Sequence, residues 1–262
     1  MKQLRYFLKF AFNGTNYHGW QMQNNSISVQ EVIDEGLSRL LREKINVCGA
    51  GRTDTGVHAK EFFAHFDTSN VFSVDERKNL VYRLNKYYPD DIAIEELIPV
   101  IPTAHARFDA ISRTYKYFIT QKKDPFGKEF SFLLFGEIDL NLMNEGAKLL
   151  FDYSDFSSFS KADTQVKTNN CKIMSAEWTE ENETLVFTIK ADRFLRNMVR
   201  AIVGTLLDIG RKRISLYDFN EIIKSKNRSE AGYSVPGHGL FLYKIEYPDN
   251  IFLEPYKAYK NI

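Results

Sequence analysis

At 262 residues, 44% hydrophobic and 26% charged, the chain has a globular composition and length enough for one large domain or two ordinary ones. Its formal charge is only +1, so a polyanionic partner has to be met by basic residues gathered on one face. No signal-peptide-like stretch opens it, no segment approaches the ~20 apolar residues of a membrane span, and Cys48 and Cys171 suit neither a disulfide framework nor a metal-ligand spacing; the expected setting is the cytoplasm, away from membranes.

Residues 4–12, rich in aromatics, read as a strand that Asn13-Gly14 turns. The next stretch, Tyr17-His-Gly-Trp-Gln-Met-Gln23, is polar, aromatic and glycine-containing at once, as the wall of a cleft is. Ser28 and Glu31 form a capping box ahead of apolar residues at helical spacing to about Lys44. Strands are expected over 45–50 and 57–66, a second capped helix from Ser73 to Pro89, and a strand over 92–101. Pro99 and Pro102 mark a seam between domains at 1–103 and 104–262. Beyond it the same grammar returns: a strand over 113–120, a helix over 139–151 and a hairpin of 173–178 with 184–191. The clearest helix follows, from Phe194 to a glycine stop at Gly210, and then a short helix after Ser215 and a closing strand over 240–247. The order is α+β, with halves alike in grammar and not in letters.

Between two of those strands lies Gly49-Ala-Gly-Arg-Thr-Asp-Thr-Gly-Val-His-Ala59. Gly51 and Gly56 are expected to bracket Asp54 on a tight turn, with Arg52 as a cationic neighbour that keeps the carboxylate ionised. Asp54-Thr-Gly56 is the triplet of aspartic proteases, but it occurs once and lacks the apolar residues that precede it there. His58 and His65, seven apart on one strand, point to opposite faces, and no cysteine or second carboxylate completes a metal set with His105. The glycine spacing fits neither a phosphate loop nor a dinucleotide loop. What remains is a carboxylate able to act as a nucleophile or base without a cofactor, a tyrosine-bearing strand, and the basic cluster Arg193, Arg196, Arg200, Arg211, Lys212 and Arg213. A cofactor-free RNA or nucleotide enzyme and a non-catalytic RNA-binding module both fit these residues.

Five stretches, in order and spanning nearly the whole chain, resemble the tRNA pseudouridine synthase A family: Tyr17–Gln23; Gly51–Ala59; His105-Ala-Arg-Phe108 with Arg113-Thr-Tyr-Lys-Tyr117; Phe194–Gly204; and Pro236-Gly-His-Gly-Leu240. The resemblance implies conversion of uridine to pseudouridine at positions 38, 39 and 40 of the tRNA anticodon arm, by a homodimer that needs no cofactor, metal or other protein partner. Asp54 is then the catalytic carboxylate, Arg52 its ion-pair partner, and Tyr115 the ring that stacks on the target base. Arg200 lines the site, Leu240 belongs to the pocket wall, and His105, Arg107 and Lys167 lie with the substrate-binding residues. The implied fold is two ferredoxin-like α/β-sandwich halves with mainly antiparallel sheets joined around a central cleft. Departures from the family pattern fall at Lys167, at Arg193 and Arg196, and at residues 231–235, none of them in the Asp54 loop.

Overall fold

The computed structural model describes residues 4–161 and 168–253. The chain forms two compact units, one of residues 4–111 with 244–253 and the other of the described residues within 112–243. Lys167 lies outside the described residues.

In the first unit, β1 (Leu4–Phe12) runs antiparallel between β3 (His58–Thr68) and β4 (Ile92–Val100), and the two-residue β2 (Cys48–Gly49) pairs with β3. Because side chains alternate across a strand, β1 feeds two aromatic clusters. Phe10 and Phe12 pack with Phe62 and Trp20 on one face, and Phe7 with Phe63, Tyr247 and Phe252 on the other. Helix α1 (Val29–Leu41) is capped by Ser28, and α2 (Val74–Tyr87) opens on the capping box of Ser73 and Glu76. The strand expected over 45–50 shrinks to β2, because α1 side chains satisfy the backbone of residues 45–47 in place of a neighbouring strand. Ser38 Oγ bonds both polar groups of Ile45, Asp34 Oδ1 accepts from Val47 N–H at 2.7 Å, and Gln30 donates to the Val47 carbonyl.

In the second unit, β5 (Ser112–Thr120), β8 (Thr184–Ala191) and β7 (Ile173–Glu181) are antiparallel neighbours, and the short β6 (Phe132–Leu133) pairs parallel to β5. Helices α3 (Leu140–Leu149), α4 (Met198–Gly210) and α5 (Leu216–Ser225) complete it. Positive φ at Asn182 and Glu183 makes the two-residue turn that a tight hairpin requires. Helix α4 begins four residues later than its apolar periodicity predicts, because Asn197 takes a left-handed conformation at φ 68 and breaks the helix there. Leu195 nevertheless stays buried. Strand β9 (Leu240–Glu246) starts in the second unit and ends in the first.

The units repeat one packing device. Asn85 on α2 grips both polar groups of Ile94 in β4, at 2.7 and 2.8 Å, and Asn144 on α3 grips both of Trp178 in β7, at 2.8 and 3.0 Å. β4 bulges beside its grip, and in both units an amide with one acceptor and two donors satisfies the backbone groups in question. The class is α+β with mostly antiparallel strands, and among the described residues no helix is long and apolar enough to cross a membrane.

Asp34 yields a test of the α1 packing. Burial pushes its carboxyl up from 3.8 to about 6, opposed by the Val47 N–H bond. An acid whose folded pKa exceeds its unfolded one adds stability that is full below about pH 4 and is lost as pH rises through about 6. Relative to wild type, Asp34→Asn, which keeps an acceptor and cannot ionise, is therefore expected to gain stability across that window and to run parallel outside it. Urea unfolding at several pH values reads this directly; a pH-independent difference contradicts it.

Candidate active site

Residues 50–57, between β2 and β3, form no helix or strand, so their backbone groups depend on neighbours. The partner is a strap, residues 13–20, that crosses them. Trp20 N–H donates to the Thr53 carbonyl at 3.3 Å, Gly56 N–H to the Tyr17 carbonyl at 3.3 Å, and Gly14 N–H to His58 Nδ1 at 3.0 Å. Inside the loop Val57 N–H closes on the Asp54 carbonyl at 3.2 Å. The crossing is tight: a Cβ on Gly14 would stand 2.1 Å from the Val57 carbonyl oxygen, and one on Gly19 2.4 Å from that of Thr53. Gly56 takes φ 73, as expected for the turn, whereas Gly51 has no left-handed φ and open space where a Cβ would sit.

Asp54 is half-buried in this loop. Arg52 is exposed, and among the described residues no ion pair joins it to Asp54. The guanidinium stays in solvent, where an isolated ion pair brings little. Between them Thr53 is buried, and its Oγ1 has no hydrogen-bond partner, which in general costs about 1–3 kcal/mol.

In the second unit, Tyr115 and Tyr117 share a face of β5. Tyr117 is core, its hydroxyl bonded to the Pro236 carbonyl at 2.8 Å, while Tyr115 is half-buried with its ring edge-on to Phe194 at 5.1 Å. Leu240 is buried at the start of β9. Arg200, in the first turn of α4, donates from Nε to the Val235 carbonyl at 2.7 Å, and Val235 N–H returns a bond to the Arg200 carbonyl. The departure at 231–235 thus packs along α4, where a Cβ on Gly204 would meet the Tyr233 carbonyl oxygen at 1.8 Å. Arg228, passed over in the sequence, shapes this segment by donating to the Ala231 and Gly232 carbonyls and to Ser234 Oγ.

The basic cluster divides. Arg193, Arg196 and Arg200 stand at the N-terminal end of α4, and Arg211, Lys212 and Arg213 about 16 Å away at its other end. There Arg213 pairs with Asp208 and Lys212 approaches Asp139 at 3.8 Å.

One sequence expectation fails outright: a cysteine does complete a set with His65 and His105. Pairing of β2 with β3 sets Cys48 opposite His65, and the potential ligand atoms of Cys48, His65 and His105 lie within 4.8 Å of one another. The rings are nevertheless oriented as hydrogen-bonding groups. His65 Nδ1 accepts from Ala106 N–H at 3.1 Å, and His105 Nδ1 from Arg107 and Phe108 N–H at 3.1 and 3.3 Å. Accepting at Nδ1 leaves the proton on Nε2, and His105 Nε2 lies 3.8 Å from Cys48 Sγ. A metal on Nε2 needs Nδ1 to donate, against the N–H groups that face it. Burial, with the Arg5 charge, holds His65 down to about 4 and depresses His105, so both rings are neutral near pH 7. Burial also raises the Cys48 thiol, against the pull of Arg107 and Arg5. The trio locks the turn that presents exposed Arg107 with its guanidinium 5.5 Å from the Phe108 ring centre.

A family model described as tRNA pseudouridine synthase matches residues 147–248. The tRNA pseudouridine synthase A of Bacteroides fragilis is 54% identical over 254 residues, covering 96% of this chain and 100% of its own. That of Parabacteroides distasonis is 53% identical over 248 residues, covering 95% and 98%, and that of Clostridium acetobutylicum 37% over 242, covering 92% and 98%. With near-complete coverage at such identities, and with the Asp54 loop built as described, the chain belongs to the tRNA pseudouridine synthase A family.

Proposed function

We propose that this protein converts uridine to pseudouridine at positions 38, 39 and 40 of the tRNA anticodon arm, acting as a homodimer with the Asp54 carboxylate as nucleophile. The observation that carries the reading is the held Asp54 loop in a chain whose relatives are tRNA pseudouridine synthases A over nearly their full length. In the reaction the N1–C1′ bond breaks and a C5–C1′ bond forms; C5 gives up a proton and N1 gains one. Atoms and electrons balance within the nucleoside, so the step calls for a nucleophile and a place to turn the base, and for no redox partner or co-substrate.

The supporting residues take separate tasks. Tyr115 offers a half-buried ring for stacking on the extruded base, its tilt set by Phe194. Arg200, Arg193 and Arg196 at the start of α4 supply cations where the helix end itself favours phosphate. Arg52 and Arg107 are exposed for backbone contact, with His105 as the residue that orients Arg107. Leu240 and Lys167 keep the wall and contact roles that the resemblance gives them. The two expected domains, 1–103 with the aspartate loop and 104–262 with the tyrosine strand and basic helix, are read as ferredoxin-like halves on the strength of their matching helix-to-strand asparagine grips.

Asp54→Ala is expected to keep thermal stability and RNA affinity near wild type while lowering pseudouridine formation by at least about ten-thousand-fold, the scale on which nucleophiles are lost. Nucleoside analysis of treated anticodon-arm RNA checks it, and turnover comparable to wild type removes Asp54 from the mechanism. A binding-only module forms no pseudouridine even as wild type.

RNA affinity should fall steeply with salt, and Arg196→Ala should flatten the slope of log affinity against log salt by about 1. Filter binding at several salt concentrations measures the slope; an unchanged slope takes Arg196 out of the phosphate contacts.

A further inference from the structure

Several bonds of the strap that holds the Asp54 loop gather on one residue, Asp91. Asp91 lies in the turn between α2 and β4, immediately before Ile92. Three groups of the strap converge on it. Asn13 N–H donates to the Asp91 carbonyl at 2.8 Å, Tyr17 Oη–H donates to Oδ1 at 2.6 Å, and Asn16 Nδ2–H donates to Oδ2 at 3.2 Å. Tyr17 is the residue whose own carbonyl receives Gly56 N–H, and its ring is buried to 5% exposure. Burial, with the bond to Asp91, raises the Tyr17 phenol, so that it remains a donor at any physiological pH.

We propose that Asp91 is a positioning residue for the reaction, acting on Asp54 through Tyr17 and the strap. The path has two links: carboxylate to phenol at 2.6 Å, then the Tyr17 backbone to Gly56, two residues beyond Asp54. The strap's other end is held separately, by the first N–H groups of α1, which donate to the Gly19 and Trp20 carbonyls at 3.3 and 3.0 Å. Loss of the Asp91 link therefore loosens the Tyr17 end that bonds Gly56, where Gly14 N–H still holds to His58 Nδ1 and His18 N–H to the Ile27 carbonyl, and leaves the Trp20 end in place. A charge-assisted O–H···O⁻ bond of this length is directional, and a shift of about 1 Å at a reacting group costs on the order of a hundredfold in rate.

The inference rests on Asp54 being the catalytic group, and its test separates the two. Tyr17→Phe removes one hydroxyl and keeps the ring and every backbone bond; Asp91→Asn removes the charge and keeps the size. Each variant and the double variant are compared with wild type in single-turnover pseudouridine formation on anticodon-arm RNA, with RNA affinity and thermal unfolding measured alongside. Expected is a rate loss of about ten- to a hundredfold in each single variant at unchanged affinity, with the double variant no slower than the slower single, since both cut one linkage. Tyr17→Phe at the wild-type rate, losses that multiply in the double variant, or losses that track the unfolded fraction overturn it. Should Tyr17→Phe fail to fold, the rate of Asp91→Asn at unchanged affinity decides alone. A wild-type protein that forms no pseudouridine defeats the functional reading; full activity in these variants defeats only this one.

Discussion

The hydrogen bonds between residues 13–20 and the Asp54 loop are the constraint on which the candidate site depends. A segment without its own helix or strand must find outside partners for its backbone, and here Trp20 and Tyr17 provide them while Gly14 and Gly19 allow the chains to cross at a separation no Cβ would permit. A carboxylate held on such a loop has its position set by packing across the chain, which is what a nucleophile needs, and which local sequence alone does not supply.

That division explains what could be read in advance. The Ser73 capping box, the alternating aromatics of β1 and the apolar period of α4 are local signals that the structure carries, while at Ser28 it keeps the side-chain cap on Glu31 N–H. Where expectation and structure part, a side chain has intervened from a distance or a single backbone angle has changed. Residues 45–47 look like a strand, yet Ser38, Asp34 and Gln30 take their hydrogen bonds first. Asn197 at φ 68 shortens α4, although Asn is also an ordinary helix-start residue and its letter alone does not separate the two.

At the site, Asp54 stands out because its loop is dense in glycine and charge, while the strap's role is hidden. Tyr17 and Asp91 are 74 residues apart, and nothing in either neighbourhood marks them as partners. The trio of Cys48, His65 and His105 is hidden likewise, since strand pairing and not spacing brings the cysteine to the histidines. From sequence the spacing of the histidines argues against a ligand set; with their hydrogen bonds in view, His65 and His105 organise the turn carrying Arg107.

The central claim is that this chain performs the isomerisation itself, and the hydrogen on C5 of the target uridine reports it most directly, because that hydrogen must leave as the carbon–carbon bond forms. An anticodon-arm RNA carrying tritium at C5 of its uridines, incubated with the purified protein alone, is predicted to release tritium to water in step with the uridines at positions 38 to 40 that are converted. Bound RNA that retains all of its tritium would contradict the account.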